Sequence, residues 1–176
     1  VEYMLATESD SINVNTADDL IMQTYDTIAK ASENKGSIPG QATGFDNIDL
    51  KMGGMDGLAV LGARPGMGKT AFALNVAEHI VYNELKPVVF FSLEMGAQQL
   101  MLRLVSSMTR IKYSALRYGE LEDDDWTKLA GFMNQSEKTK KLLICDEPKM
   151  TVRKIRSVCR RLKKQYGSLG VVIIDY

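Results

Sequence analysis

The chain has 176 residues, 45% of them hydrophobic and 25% charged, the balance of one globular domain with a tail rather than of a disordered, collagen-like or coiled-coil protein. Twenty-two Lys and Arg against twenty-two Asp and Glu leave no net charge, so any case for a polyanionic partner has to be local. One histidine and two cysteines, Cys145 and Cys159, argue against a disulfide scaffold or a Cys/His zinc site; no apolar run approaches the ~18 residues of a membrane span, and the opening residues show no basic-then-apolar leader, so a reducing cytoplasm is expected.

Residues 1–15 are polar and irregular. From about Thr16 to Glu33 the spacing of Ile21, Tyr25, Ile28 and Ser32, with Leu20 beside them, predicts an amphipathic helix capped by Thr16 or Asp18. The stretch KGSIPGQ ends it. A tethered helix of this length needs a packing partner, either its own domain or a neighbouring subunit. Beyond Pro39 strands alternate with helices. The run 58–62 (LAVLG) reads as a buried parallel strand, 69–83 as a helix and 87–94 (PVVFFSLE) as a second strand. A helix over 97–110 carries Leu100, Leu104, Val105 and Met108 on one stripe. Another over 122–134 opens on four acids and holds Trp126, Leu129 and Met133. A strand at 141–145, a helix from a Thr151 cap to about Tyr166, and a strand at 170–175 complete the series. In the last helix Val152, Ile155, Val158, Leu162 and Tyr166 are expected to face inward. This rhythm predicts βαβ units, a mainly parallel sheet and right-handed crossovers.

The segment Gly62–Thr70, GARPGMGKT, is the strongest chemical signal. Gly68, Lys69 and Thr70 fit the phosphate-binding loop pattern, with Ala63 where its first Gly stands. The segment follows a predicted strand and opens a predicted helix, as the motif requires. A triphosphate needs many donors at once. Successive N–H groups over Gly66, Met67, Gly68, Lys69, Thr70 and Ala71 can form a nest, reinforced by the positive helix end. Ala63, Arg64 and Pro65, just before that nest, are expected to take part in nucleotide binding with residues 66–71. Lys69 supplies a charge for the terminal phosphates, and Thr70 a hydroxyl for Mg²⁺, which prefers oxygen ligands.

GVVIID ends in Asp175, four apolar residues and then an acid at a strand tip, the place where open α/β sheets bind ligands. Asp175 is expected to hold Mg²⁺ through a water. Glu94, at the tip of the second strand, is either the base that accepts a proton from water attacking the γ-phosphate or a solvated acid. Asp146 and Glu147 read as turn or rim acids.

These residues resemble the C-terminal motor domain of DnaB-type replicative DNA helicases, bacterial or phage-encoded. TGFDNID (43–49) is similar to that family's opening motif, ARPGMGKTAFALNVA (63–77) to its Walker A segment, and FFSLEM (90–95) to the segment carrying the catalytic Glu. QLMLRL (99–104), ALRYGEL (115–121), DDW (124–126) and IRSVCRRLK (155–163) also resemble family segments. The resemblance covers roughly 43–176, and the 16–33 helix stands where the family has its linker helix. It implies an α/β RecA-like P-loop NTPase core, preceded by a linker helix and assembled as a homo-hexameric ring. Such a ring uses ATP and Mg²⁺ to move 5′→3′ on single-stranded DNA and to unwind forked DNA, with a primase and a helicase loader as partners. It makes Lys69 and Thr70 the phosphate and Mg²⁺ contacts, Glu94 the base and Asp175 the Walker B acid, with the linker helix docked on a neighbour. Residues 1–40 are then a linker, and 41–176 the N-terminal part of the ATPase domain.

The resemblance also implies a strand after Walker B that enters the sheet between the P-loop and Walker B strands. The sequence ends at Tyr176, so the chain is expected to be part of a longer protein, inactive in unwinding by itself. Pairing between 58–62 and 170–175 would contradict this. Other readings are a RecA-type recombinase or related ring ATPase, and a nucleotide-binding assembly module without turnover. The 151–166 helix has seven basic residues and no acid, either a solvated face or a surface for phosphates or an acidic neighbour. Arg103 is expected in an ion pair or a catalytic role, Trp126 in the core or as a staple, the methionines including Met67 in packing, and His79 in no particular role.

Overall fold

The computed structural model describes residues 15–33, 38–134 and 136–176. Except for Asn15, the irregular tail expected over 1–15 lies outside these residues, as do Lys35, Gly36 and Ser37 of the predicted helix break. The chain divides into two units, one up to residue 37 and one from residue 38.

Among the described residues the first unit contributes one helix, α1 (Ala17–Glu33). Thr16 is its cap: its hydroxyl accepts the Asp19 N–H at 3.3 Å and donates to the Asp19 carboxylate at 2.6 Å. Leu20, Ile21, Met22, Tyr25 and Ile28, the expected apolar stripe and its neighbours, are all exposed.

In the second unit the order is α2 (Asp46–Met52), α3 (Lys69–Tyr82), β1 (Val88–Ser92), α4 (Ala97–Thr109), α5 (Tyr113–Tyr118), α6 (Asp123–Met133), α7 (Ser136–Thr139), β2 (Leu142–Cys145), α8 (Val152–Tyr166) and β3 (Val171–Asp175). The strands form a parallel sheet in the order β2-β1-β3. Central β1 is buried along its whole length, which is why its sequence is apolar without alternation. Val88, Phe90, Leu142, Val171 and Ile173 meet α3 and α4 residues such as Ile80, Leu100 and Leu104 in one core. Across the sheet a cleft is lined by Val89, Leu143 and Cys145 on the strands and by Val158 and Leu162 of α8. Phe45 stacks on Phe72 of α3 at 4.9 Å, tying the segment before α2 to the core.

The run 58–62 is not a strand. Leu58 is 91% and Val60 84% exposed, and the segment pairs with no described strand, 170–175 included. A strand exists through its ladder, and here no neighbour offers one. Its apolar composition speaks for burial but cannot supply the partner. Four other expectations fail for a related reason. Trp126, Val152 and Tyr166 are exposed rather than inward, and Met67 is exposed rather than packed. Helical spacing specifies a face, not what covers it.

Short elements were not legible. Helix α2 has seven residues and α5 six, too short for periodicity to register. Among the described residues Leu85 and Arg110 adopt positive φ without being Gly; Arg110 ends α4 in the left-handed region.

Candidate nucleotide site at the strand tips

The residues of the phosphate-loop pattern and Asp175 come together at the C-terminal end of the sheet. Lys69 and Thr70 are the first two residues of α3, and Asp175 is the last of β3. Their approach depends on how closely β3 starts beneath the far end of α3. Gly170, just before β3, has its N–H on the Pro87 carbonyl at 2.7 Å. A side chain there would meet Ile80 Cγ2 at 2.8 Å and Lys86 Cβ at 2.9 Å. The glycine lets helix and strand lie close, so that both reach the same rim.

At that rim Lys69 Nζ lies 3.1 Å from Asp175 Oδ1. It also donates to the Tyr176 carbonyl at 2.6 Å and sits 5.2 Å from the centre of the Tyr176 ring. The Thr70 hydroxyl donates to Asp175 Oδ2 at 2.6 Å. Asp175 is 5% exposed, so its charge is held away from water, and the ammonium and hydroxyl satisfy it there.

The loop before α3 is open to solvent from residue 61 to Gly68. Gly66 has φ 78° and Gly68 φ 85°, the left-handed region that side chains disfavour. A Cβ at either would meet nothing within 4 Å, so conformation and not room calls for glycine. The first helical bond is from the Phe72 N–H to the Gly68 carbonyl at 2.9 Å, leaving the amides of Lys69, Thr70 and Ala71 in the open first turn without helical acceptors. The loop amides of Gly66, Met67 and Gly68 follow Ala63, Arg64 and Pro65, and the Met67 N–H turns back to the Arg64 carbonyl at 3.2 Å. Exposed amides, a helix N-terminus and a lysine make a surface for a polyphosphate.

Glu94 lies two residues past β1 and is exposed. The register Ser92↔Asp175 and the bond from the Leu93 N–H to the Asp175 carbonyl at 2.9 Å place the Glu94 loop beside Asp175. Asp146 is more than a rim acid: its Oδ2 accepts the Ala97 N–H at 2.8 Å, capping α4 from the next strand. Arg103 forms no ion pair among the described residues and instead lies over the Tyr113 ring at 6.0 Å. The seven basic side chains of α8 are all exposed.

A second polar centre organises the approach to α3, and sequence reasoning missed it. Asp49, 4% exposed, accepts the Thr43 N–H (2.9 Å), the Thr43 hydroxyl (2.7 Å) and the Gly44 N–H (3.1 Å). Burial pushes the Asp49 carboxyl up, but these donors more than offset it and hold it below its ordinary value. Gly44 in turn lies against His79 of α3. The signal was present in Thr43, Gly44 and Asp49 of TGFDNID, though nothing in the string says that the acid is buried.

The chain matches the family model for the DnaB-like helicase C-terminal domain over residues 40–176. It is 42% identical over 160 residues to the replicative DNA helicase DnaC of Bacillus subtilis, covering 90% of this chain and 35% of that protein. Against the replicative DNA helicase DnaB of Pasteurella multocida it is 36% identical over 162 residues, covering 89% and 35%. The chain thus spans about a third of the length of these relatives. Among solved structures it resembles the ATPase domain of G40P, with a TM-score of 0.80 and 30% identity over 93% of this chain and 58% of that one. A DnaB-like replicative helicase described with its primase interactions gives 0.79 and 30%, over 93% and 39%.

Proposed function

The chain belongs to the DnaB-like helicase C-terminal domain family, and from that premise we propose that it is the RecA-like motor of a replicative DNA helicase. In this reading it hydrolyses ATP to move on single-stranded DNA and part the duplex at a replication fork. The observation that carries the reading is the meeting of Lys69, Thr70 and Asp175 at one rim, next to an open amide-lined loop.

The residues fit the chemistry. Lys69 and the amides of residues 66–71 bind and orient the phosphates. Thr70 and Asp175 are hard oxygen donors already adjacent to each other, and they are the residues that would hold Mg²⁺. The ion, when bound, supplies charge neutralisation at the phosphates. Glu94 takes the proton from the attacking water, a role contributing about 10²–10⁴ in rate. Residues 1–40 serve as a linker, and the exposed stripe of α1 docks on a neighbouring copy in a homo-hexameric ring that works with a primase and a loader in the cytoplasm. Among the described residues no helix is long and apolar enough to cross a membrane.

The test is ATP hydrolysis and unwinding by the full-length protein. Single-stranded DNA should stimulate hydrolysis, and forked DNA should be unwound. Lys69→Ala should weaken nucleotide binding and turnover together, whereas Glu94→Gln should bind ATP and lose turnover. Hydrolysis indifferent to DNA, with no strand separation, would overturn the proposal.

A further inference from the structure

Glu94 is exposed, and among the described residues no hydrogen bond or ion pair anchors its side chain. A base must nevertheless sit within hydrogen-bonding reach of its proton. Its position is therefore set by the backbone of residues 93–96, which joins β1 to α4, and that segment is tied down at three points.

The Leu93 N–H bonds to the Asp175 carbonyl on β3 at 2.9 Å. Ser92, 2% exposed, donates its hydroxyl to the Met95 carbonyl at 2.7 Å and accepts the Met95 N–H at 3.2 Å, closing a small ring around Glu94. Asp146, at the tip of β2, then takes the Ala97 N–H at 2.8 Å. The first tie reaches β3 and the last reaches β2, with β1 between them. Only the last is a side chain reaching in from elsewhere in the chain, 49 residues from the amide it holds.

We propose that Asp146 is a positioning residue for Glu94, acting through the first turn of α4. The proposal rests on the reading of Glu94 as the base. Its carboxylate fixes where the 93–96 segment ends, and its charge suits the positive helix end. Misplacing a reacting group by about 1 Å can cost about 10² in rate. A cap with a purely structural role would alter thermal stability and leave the chemical step alone.

The experiment compares Asp146→Ala with Asp146→Asn, which keeps an acceptor oxygen, in the full-length protein. Turnover, the affinity for a fluorescent ATP analogue, and amide hydrogen exchange over 94–97 are measured. Asp146→Ala should lower kcat about tenfold or more with affinity changed less than about twofold, and should speed exchange at the Ala97 amide. Asp146→Asn should recover most of the loss. In a Glu94→Gln background, read by single-turnover kinetics, Asp146→Ala should add less than about twofold, because a positioning residue has nothing left to position. Unchanged kcat, a parallel fall in affinity, or the same fold loss in the Glu94→Gln background would overturn the proposal while leaving Glu94 as the base. Near-normal turnover in Glu94→Gln alone would overturn both.

Discussion

Lys69 and Asp175 form a 3.1 Å ion pair that joins the start of α3 to the end of β3. Lys69, proposed above to meet phosphate, is thus partnered by Asp175, proposed to serve the metal, and Thr70 holds the other oxygen of the same carboxylate. In the proposed function nucleotide would compete with this pair for Lys69, and Thr70 and Asp175 are the residues that would hold Mg²⁺.

Asp175→Asn keeps the acceptor for Thr70 and removes the charge. Turnover should fall by about 10² or more, with a higher Mg²⁺ requirement. Stability should change by no more than about 1 kcal/mol, because Asn keeps an acceptor for Thr70 and the Lys69 ammonium left behind is 30% exposed and can be hydrated. An unchanged Mg²⁺ titration of hydrolysis would count against Asp175 as a metal-holding residue.

Asp49→Ala strands the Thr43 and Gly44 donors and should cost about 2–4 kcal/mol in urea unfolding. The pH dependence has a definite sign. The folded carboxyl lies below its ordinary value of 3.8, so its contribution is present above that value and is lost as pH falls through the lower folded one. Wild type and Asp49→Asn should therefore converge in stability under acid, below about pH 3.8. A constant gap between them down to pH 2 would contradict the assignment.

Gly44→Ala tests the contact between the opening motif and α3. Gly44 has φ 85°, and an added Cβ would fall 2.5 Å from His79 Cγ. The backbone strain alone is worth about 1–2 kcal/mol, and the clash adds to it. The double variant Gly44→Ala with His79→Ala removes the ring atoms but leaves the residue-79 Cβ 2.8 Å from the added methyl, so it should recover only part of the steric cost. Wild-type stability in Gly44→Ala would mean the two do not touch.

These two residues also mark how far the sequence could be read. Thr151 and the acids at 122–125 announced helix starts because caps are local. The first is seen in the bond from the Lys154 N–H to the Thr151 hydroxyl, the second in that from the Glu122 N–H to the Asp125 carboxylate. That Lys69, Thr70 and Asp175 share one rim was legible because the phosphate-loop pattern sets particular residues at a helix start and an acid at a strand tip. Asp49, Gly44 against His79, and Asp146 on Ala97 were not, because each depends on a partner brought near only by the fold. Likewise the apolar run at 58–62 shows a taste for burial without naming a neighbour.

Glu78 gives a prediction of opposite sign. Burial pushes its carboxyl up, against the Ser107 hydroxyl 3.3 Å away and the more distant Arg110, both of which favour the charge. A raised folded value means that stability is lost as pH rises from the ordinary value of 4.5 towards the folded one. Glu78→Gln should therefore raise Tm slightly at pH 7 and give no gain at pH 4. A loss of Tm at pH 7 would show that the charge is favourable where it sits.

The outer edge of β3 carries a consequence for handling the protein. That edge has no ladder partner among the described residues, and Val172 and Ile174 on β3 lie exposed. Free main-chain groups beside bare apolar side chains are a template for adding strands from other molecules. Concentrated solutions of this chain, which has no net charge to keep molecules apart, should therefore turn cloudy readily, and a lysine at position 172 or 174 should delay it.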